Sequence, residues 1–67
     1  MLTVTINGES RQFPKALRVQ DLVDELGLAG KRIAVERNGE IVPRSELGAH
    51  SIADGDKFEI VVAVGGG

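Results

Sequence analysis

Few side chains in this sequence are equipped for chemistry. His50 is the one histidine, and there is no cysteine. A nucleophile–base pair or a zinc site therefore has little to draw on, and no metal site is expected. His50 sits in a polar, turn-rich stretch and reads as a solvated residue. Asp54 and Asp56 flank Gly55, which in outline resembles a calcium loop. The ladder of further oxygen ligands that such a loop requires is absent, so Asp54-Gly55-Asp56 reads as a tight turn.

What remains is main-chain chemistry. The apolar run Val61-Val62-Ala63-Val64 leads into Gly65-Gly66-Gly67, the last residues of the sequence. Three residues without Cβ adopt almost any backbone angle and have the narrowest cross-section a peptide can have. Extended, they reach roughly 10 Å beyond a strand. They read as a thin, flexible arm bearing one functional group, the Gly67 carboxylate, suited to entering another protein's active site. Taken alone, the three glycines fit a frayed terminus or a cloning scar equally well.

Sixty-seven residues make one small domain, and a chain this short buries only about 60% of its unfolded surface. Eight Lys and Arg stand against ten Asp and Glu, a formal net charge of −2. There is no basic run and no Trp or Tyr to stack bases, which argues against nucleic-acid binding. Met1 to Ile6 lacks a basic segment followed by a long apolar one, so it does not read as a signal peptide. No apolar run approaches spanning length. A cytoplasmic protein that does not enter membranes is expected.

The elements that would carry the arm follow from periodicity. Leu2, Val4 and Ile6 alternate with Thr3 and Thr5, a half-buried strand. Asn7-Gly8 is a type I′ hairpin signal, with a return strand from about Glu9 to Phe13, where Pro14 ends it. Phe13 is expected to face inward. Val19, Leu22, Val23 and Leu26 fall at i, i+3, i+4 and i+7 and predict a helix of two to three turns. Gly27 and Leu28 suit a Schellman ending. At the start, Arg18 occupies the position where a Ser, Thr or Asp cap is expected, and Asp21 complements the dipole. So short a helix needs a sheet to lie on. Ile33 to Arg37 reads as a third strand. Asn38-Gly39 is a second hairpin signal, leading to Glu40-Ile41-Val42 and Pro43. Ser45 and Glu46 suggest one helical turn ending near Gly48. Phe58, Ile60, Val62 and Val64 alternate with Glu59, Val61 and Ala63 as the last strand. The expected fold is α+β, a β-grasp or ubiquitin-like roll. Its mixed sheet has one helix packed across a face, residues 1–64 form the domain, and 65–67 form a flexible glycine tail.

In detail the sequence resembles the ThiS family, the small sulfur carriers of thiamin thiazole biosynthesis. The resemblance runs the length of the chain. It is carried by the opening strand with Asn7-Gly8, the helix Val19 to Leu26, the segment Ile33 to Arg44 with its NGEIVPR stretch, Asp54 to Ile60, and the terminal glycines. NGEIVPR is the most specific part. The DGD turn and glycine tail are shared with the small subunit of molybdopterin synthase. The helix start departs from the family in lacking Thr or Ser, and a third glycine precedes the family's terminal pair.

The resemblance implies a protein co-substrate rather than an enzyme, with no bound cofactor. An E1-like adenylyltransferase of the ThiF type would adenylate the Gly67 carboxylate, using ATP and Mg²⁺. A persulfide-derived sulfur would then displace AMP and leave a thiocarboxylate, and a thiazole synthase of the ThiG type would receive the sulfur. Gly65 and Gly66 would pass through the partner's channel. Alternation places Val61 and Ala63 outward beside the tail, which suggests a partner patch with Arg44, Arg37 and Glu40 as candidate rim charges. Scattered apolar exposure on a small sheet is the plainer account of these residues. Two other readings stay open: the same chemistry serving molybdopterin, and a regulatory β-grasp module.

Overall fold

The computed structural model describes residues 1–63. Five strands form one mixed sheet: β1 (Leu2–Ile6), β2 (Glu9–Phe13), β3 (Ile33–Arg37), β4 (Glu40–Val42) and β5 (Lys57–Val62). The order across the sheet is β2-β1-β5-β3-β4. β5 runs parallel to β1 and antiparallel to β3, and both hairpin pairs are antiparallel. The last strand in sequence is thus the central strand in space. Proline bounds both outer strands as expected, since β2 stops before Pro14 and β4 before Pro43.

Helix α1 (Val19–Glu25) contributes Val19, Leu22 and Val23 to the core, and the sheet contributes Val4, Ile6, Val35, Val42, Phe58 and Ile60. Each fully buried aliphatic or aromatic side chain stabilises by about 1.5–3 kcal/mol. Phe13 packs half-buried against this cluster. The helix ends one residue earlier than the spacing suggests, with Leu26 as C-cap. The Schellman ending is present. Gly27 has φ +72°, its N–H donates to Asp24 O at 3.0 Å, and the Leu28 N–H donates to Val23 O at 3.1 Å. Among the described residues no helix is long and apolar enough to cross a membrane.

The helix start resolves the missing cap. Arg18 is extended at the N-cap, and its own N–H donates to Asp21 Oδ2 at 2.9 Å. The next two N–H groups are satisfied from far along the chain. Val19 N–H donates to His50 O and Gln20 N–H to Leu47 O, each at 2.9 Å. A loop carbonyl does here what a side-chain oxygen usually does. That loop begins with a single 3₁₀ turn, Arg44–Glu46, one residue earlier than the Ser45 start expected. It then bridges back to the helix entry through Arg18 and Ser51, and Ile52 N–H donates to Leu17 O at 2.9 Å. Leu17, Leu47 and Ile52 are buried as a result. No periodic pattern marked these three, because they lie in irregular segments.

Both Asn-Gly pairs form the expected turns, with φ +51° and +84° at Asn7-Gly8 and +52° and +87° at Asn38-Gly39. Their side chains do more than the turn requires. Asn7 Nδ2 donates to Ile60 O at 3.1 Å, and Asn7 Oδ1 accepts from Ile60 N–H at 2.8 Å. The amide thus continues the β1–β5 ladder one step past the end of β1. Asn38 Oδ1 likewise accepts from Lys57 N–H at 3.0 Å. Asn7→Gly keeps the positive φ and removes both bonds to Ile60. We expect it to cost about 1–3 kcal/mol, taking roughly 0.5–1.5 kcal/mol per bond, read as a lowered urea midpoint with unchanged m-value.

Candidate functional site at the end of the last strand

β5 is fixed at its entry by Asp56, one of the most buried polar residues described. Asp56 Oδ2 accepts from Arg37 Nε at 2.9 Å, Arg37 Nη2 at 2.8 Å and Ala53 N–H at 2.8 Å. Its Oδ1 accepts from Asn38 Nδ2 at 3.1 Å. Burial pushes this carboxyl up, but the Ala53 N–H, the Asn38 amide and the Arg37 guanidinium outweigh it and hold the group below its ordinary value. The residue read from sequence as a turn former therefore joins the entry of β5 to the β3–β4 turn. Only the pairing of distant segments reveals that role.

Asp54 also has a positioning task. Its Oδ1 accepts from Thr3 N–H at 2.7 Å, and Gly55 N–H donates to Thr3 O at 2.7 Å. Thr5 N–H then donates to Asp56 O, and Asn7 N–H to Phe58 O. The parallel seam is thus begun by a carboxylate and finished by the Asn7 amide.

Along β5, Phe58 and Ile60 are buried, Val62 is half-buried, and Val61 is 63% exposed. Ala63 is exposed, and its N–H donates to Arg32 O at 2.9 Å, which ties the chain to β3 just past the strand. Val61 lies opposite Ala34 on the sheet face away from the helix. On the helix side, Ile6, Leu26, Leu28, Ile60 and Val62 line a groove of about 220 Å³ beside the strand end. Gly65, Gly66 and Gly67, expected to form the flexible tail, lie outside the described residues.

The structure brings Val61 and Ala63 together at the strand end but places Arg44 elsewhere. Arg44 opens the 3₁₀ turn and lines a cavity of about 150 Å³ with Gln20, Val23, Leu28 and Leu47, on the helix side of the sheet. The three residues therefore do not form one face. His50 Nε2 is 3.0 Å from Glu46 Oε1, in the loop that caps the helix. Among the described residues no group of three or more His, Asp and Glu is arranged to hold a metal ion.

Set beside known proteins, residues 4–67 match the ThiS family. The chain is 36% identical over 63 residues to the sulfur carrier protein ThiS of Bacillus subtilis, covering 92% of this chain and 96% of that one. It is 47% identical over 66 residues to a thiazole synthase of Paramagnetospirillum magneticum, covering 98% of this chain. The chain spans about a fifth of that relative's length, and the same holds for the thiazole synthase of Magnetococcus marinus. The crystal structure of the thiamine biosynthesis protein ThiS from Geobacter metallireducens superposes with a TM-score of 0.83 at 32% identity, over 98% of this chain and 100% of that one.

The Asp56 cluster gives a pH prediction. Its folded pKa lies below the ordinary 3.8, so the unfolded chain binds the proton more tightly. The stability it contributes is fully present above the unfolded value and lost as pH falls through the folded one. Asp56→Asn should lower stability by about 1.5–3 kcal/mol at neutral pH, the size of charge-assisted hydrogen bonds. It should also flatten the acid limb of a stability–pH curve below pH about 4. Urea titrations across that range measure both.

Proposed function

The chain belongs to the ThiS family, and from that premise we propose that it is a sulfur carrier of thiamin thiazole biosynthesis whose reactive group is the Gly67 carboxylate. The observation that carries this reading is the pairing of a family match reaching residue 67 with a last strand locked in the centre of the sheet. A carboxylate is a poor electrophile at neutral pH, so it must be activated before it can accept sulfur. An E1-like adenylyltransferase of the ThiF type joins it to AMP, using ATP and Mg²⁺ and releasing pyrophosphate. The terminal sulfur of a persulfide then displaces AMP to give an acyl disulfide, and a second thiol cleaves that disulfide, releasing the thiocarboxylate and forming a disulfide with the donor sulfur. A ThiG-type thiazole synthase takes the sulfur. The thiazole synthases that share this sequence over a fifth of their length support that acceptor.

Each of these steps belongs to a partner's active site. The domain's part is to hold the arm at a fixed place and to be recognised. Gly65 and Gly66 give the arm its narrow cross-section. Val61 and Ala63 form the apolar contact beside it, their exposure next to the arm supporting that role. No side chain of the chain is assigned a catalytic task.

Intact mass tests the proposal directly. Incubation with a ThiS-activating enzyme, ATP and a sulfur source should replace one oxygen by one sulfur, and fragmentation should place the change at Gly67. An unchanged mass, with an enzyme proven on its own carrier, would reject the carrier role. Transfer from the product to thiazole synthase rather than molybdopterin synthase selects the pathway. Gly67→Ala should slow ATP–pyrophosphate exchange at least tenfold while leaving the melting temperature unchanged. Val61→Asp should weaken binding to the activating enzyme, again without loss of stability.

A further inference from the structure

The open face of the sheet carries an arrangement that the fold itself does not need. Glu36 on β3 and Glu59 on β5 are direct cross-strand partners. Both point away from the helix, since their neighbours Val35, Phe58 and Ile60 point into the core. Side chains so placed have Cβ atoms about 4.5–5.5 Å apart, and like charges there destabilise a sheet. Among the described residues neither carboxylate has a cation within salt-bridge distance; the carboxylates that do have a basic partner are Asp56, with Arg37, and Glu46, with the His50 ring. Lys57, on the same face, lies one row further from the strand end and makes neither contact.

Apolar side chains flank this pair toward the strand end and toward β4. Ala34 and Val61 face each other one row nearer the strand end, and Ile41 pairs with Glu36 from β4. Ile41 is 71% and Val61 63% exposed, and with Met1 they are the exposed large hydrophobic residues among those described. A purely apolar patch would accept many partners. Two adjacent carboxylates set among apolar groups instead select a surface that offers a cation framed by apolar side chains. A guanidinium fits best, because its planar fork can serve both carboxylates while its stem lies on Ile41 or Val61.

We propose that the outer face of β5, β3 and β4 docks the activating enzyme through an arginine or lysine of that enzyme seated between Glu36 and Glu59, with Ala34, Ile41 and Val61 as the apolar surround. This inference rests on the carrier reading and adds the pair that gives it selectivity. Proximity assigns the face to the enzyme that works on the tail. Four residues past Ala63 span at most about 14 Å, so that enzyme must rest close to the end of β5.

The test uses the full chain and two readouts of opposite sign. Glu59→Lys turns the like-charge pair into an opposite-charge one, so the melting temperature should hold or rise. In ATP–pyrophosphate exchange the KM for the carrier should rise at least tenfold, with kcat changed less than twofold. Wild-type KM should climb with added salt, and that slope should shrink in the variant. Glu25→Lys, the same charge change on the exposed side of α1 across the sheet, controls for net charge and should leave KM within twofold. A KM for Glu59→Lys within twofold of wild type overturns the proposal. So does an equal rise in Glu25→Lys, or a loss confined to the thiazole synthase step. Failure of the carrier reading would look different, because the wild-type protein would then not be activated at all.

Discussion

The parallel seam between β1 and β5 is the constraint on which the rest of this domain depends. It joins residues more than fifty positions apart, and no turn holds them together. Closing so long a loop costs entropy before any contact repays it. The seam is secured by side chains acting as main chain. Asp54 receives the Thr3 N–H at one end, and the Asn7 amide meets both main-chain groups of Ile60 at the other. With β5 so placed, β3 pairs against its free edge, and the helix has a complete floor on which to bury Val19, Leu22 and Val23.

Two functional consequences follow from a last strand that is also the central one. β5 is held by β1 as far as Phe58, by the Asn7 amide at Ile60 and by β3 as far as Val62, so its position is set by the whole sheet. Its two faces also differ sharply: Phe58 and Ile60 are sealed beneath the helix, whereas Lys57, Glu59 and Val61 stand open. One six-residue strand thus supplies both core side chains and an open face. The helix is held by another long-range device, with Leu47 and His50 carbonyls replacing a cap. Both devices use polar groups to fix register between segments far apart in the chain.

Much of this was legible in the residues. Alternation located β1 and β5, the 3.6-residue spacing located α1, and two Asn-Gly pairs located the hairpins, because each signal is local. Gly27 and Leu28 marked the helix end for the same reason. What alternation could not reveal was partnership across the chain. Arg18 looked like a poor cap because the true cap comes from thirty residues away. Asp56 looked like a turn residue because Arg37 and Asn38, which give it its role, belong to another hairpin. Leu17 and Ile52 escaped notice because their burial comes from an isolated bridge. Arg44 could be read as a rim charge because sequence does not say on which side of a sheet a loop passes. The glycine arm rests on composition and family pattern alone, since Gly65, Gly66 and Gly67 lie outside the described residues.

The direction of β5 also determines how the domain carries load. β1 and β5 run side by side in the same sense, so residue 2 lies at the opposite end of the seam from residue 63. A pull on Ala63 away from the body, resisted at the other end, acts along the strands. Every bond from β5 to β1 and β3 is then strained together in shear, rather than opened one at a time like a zipper. A partner drawing the arm into a deep channel would tow the whole domain against its own surface before it peeled the strand away. The pull would seat the carrier more firmly instead of unravelling it.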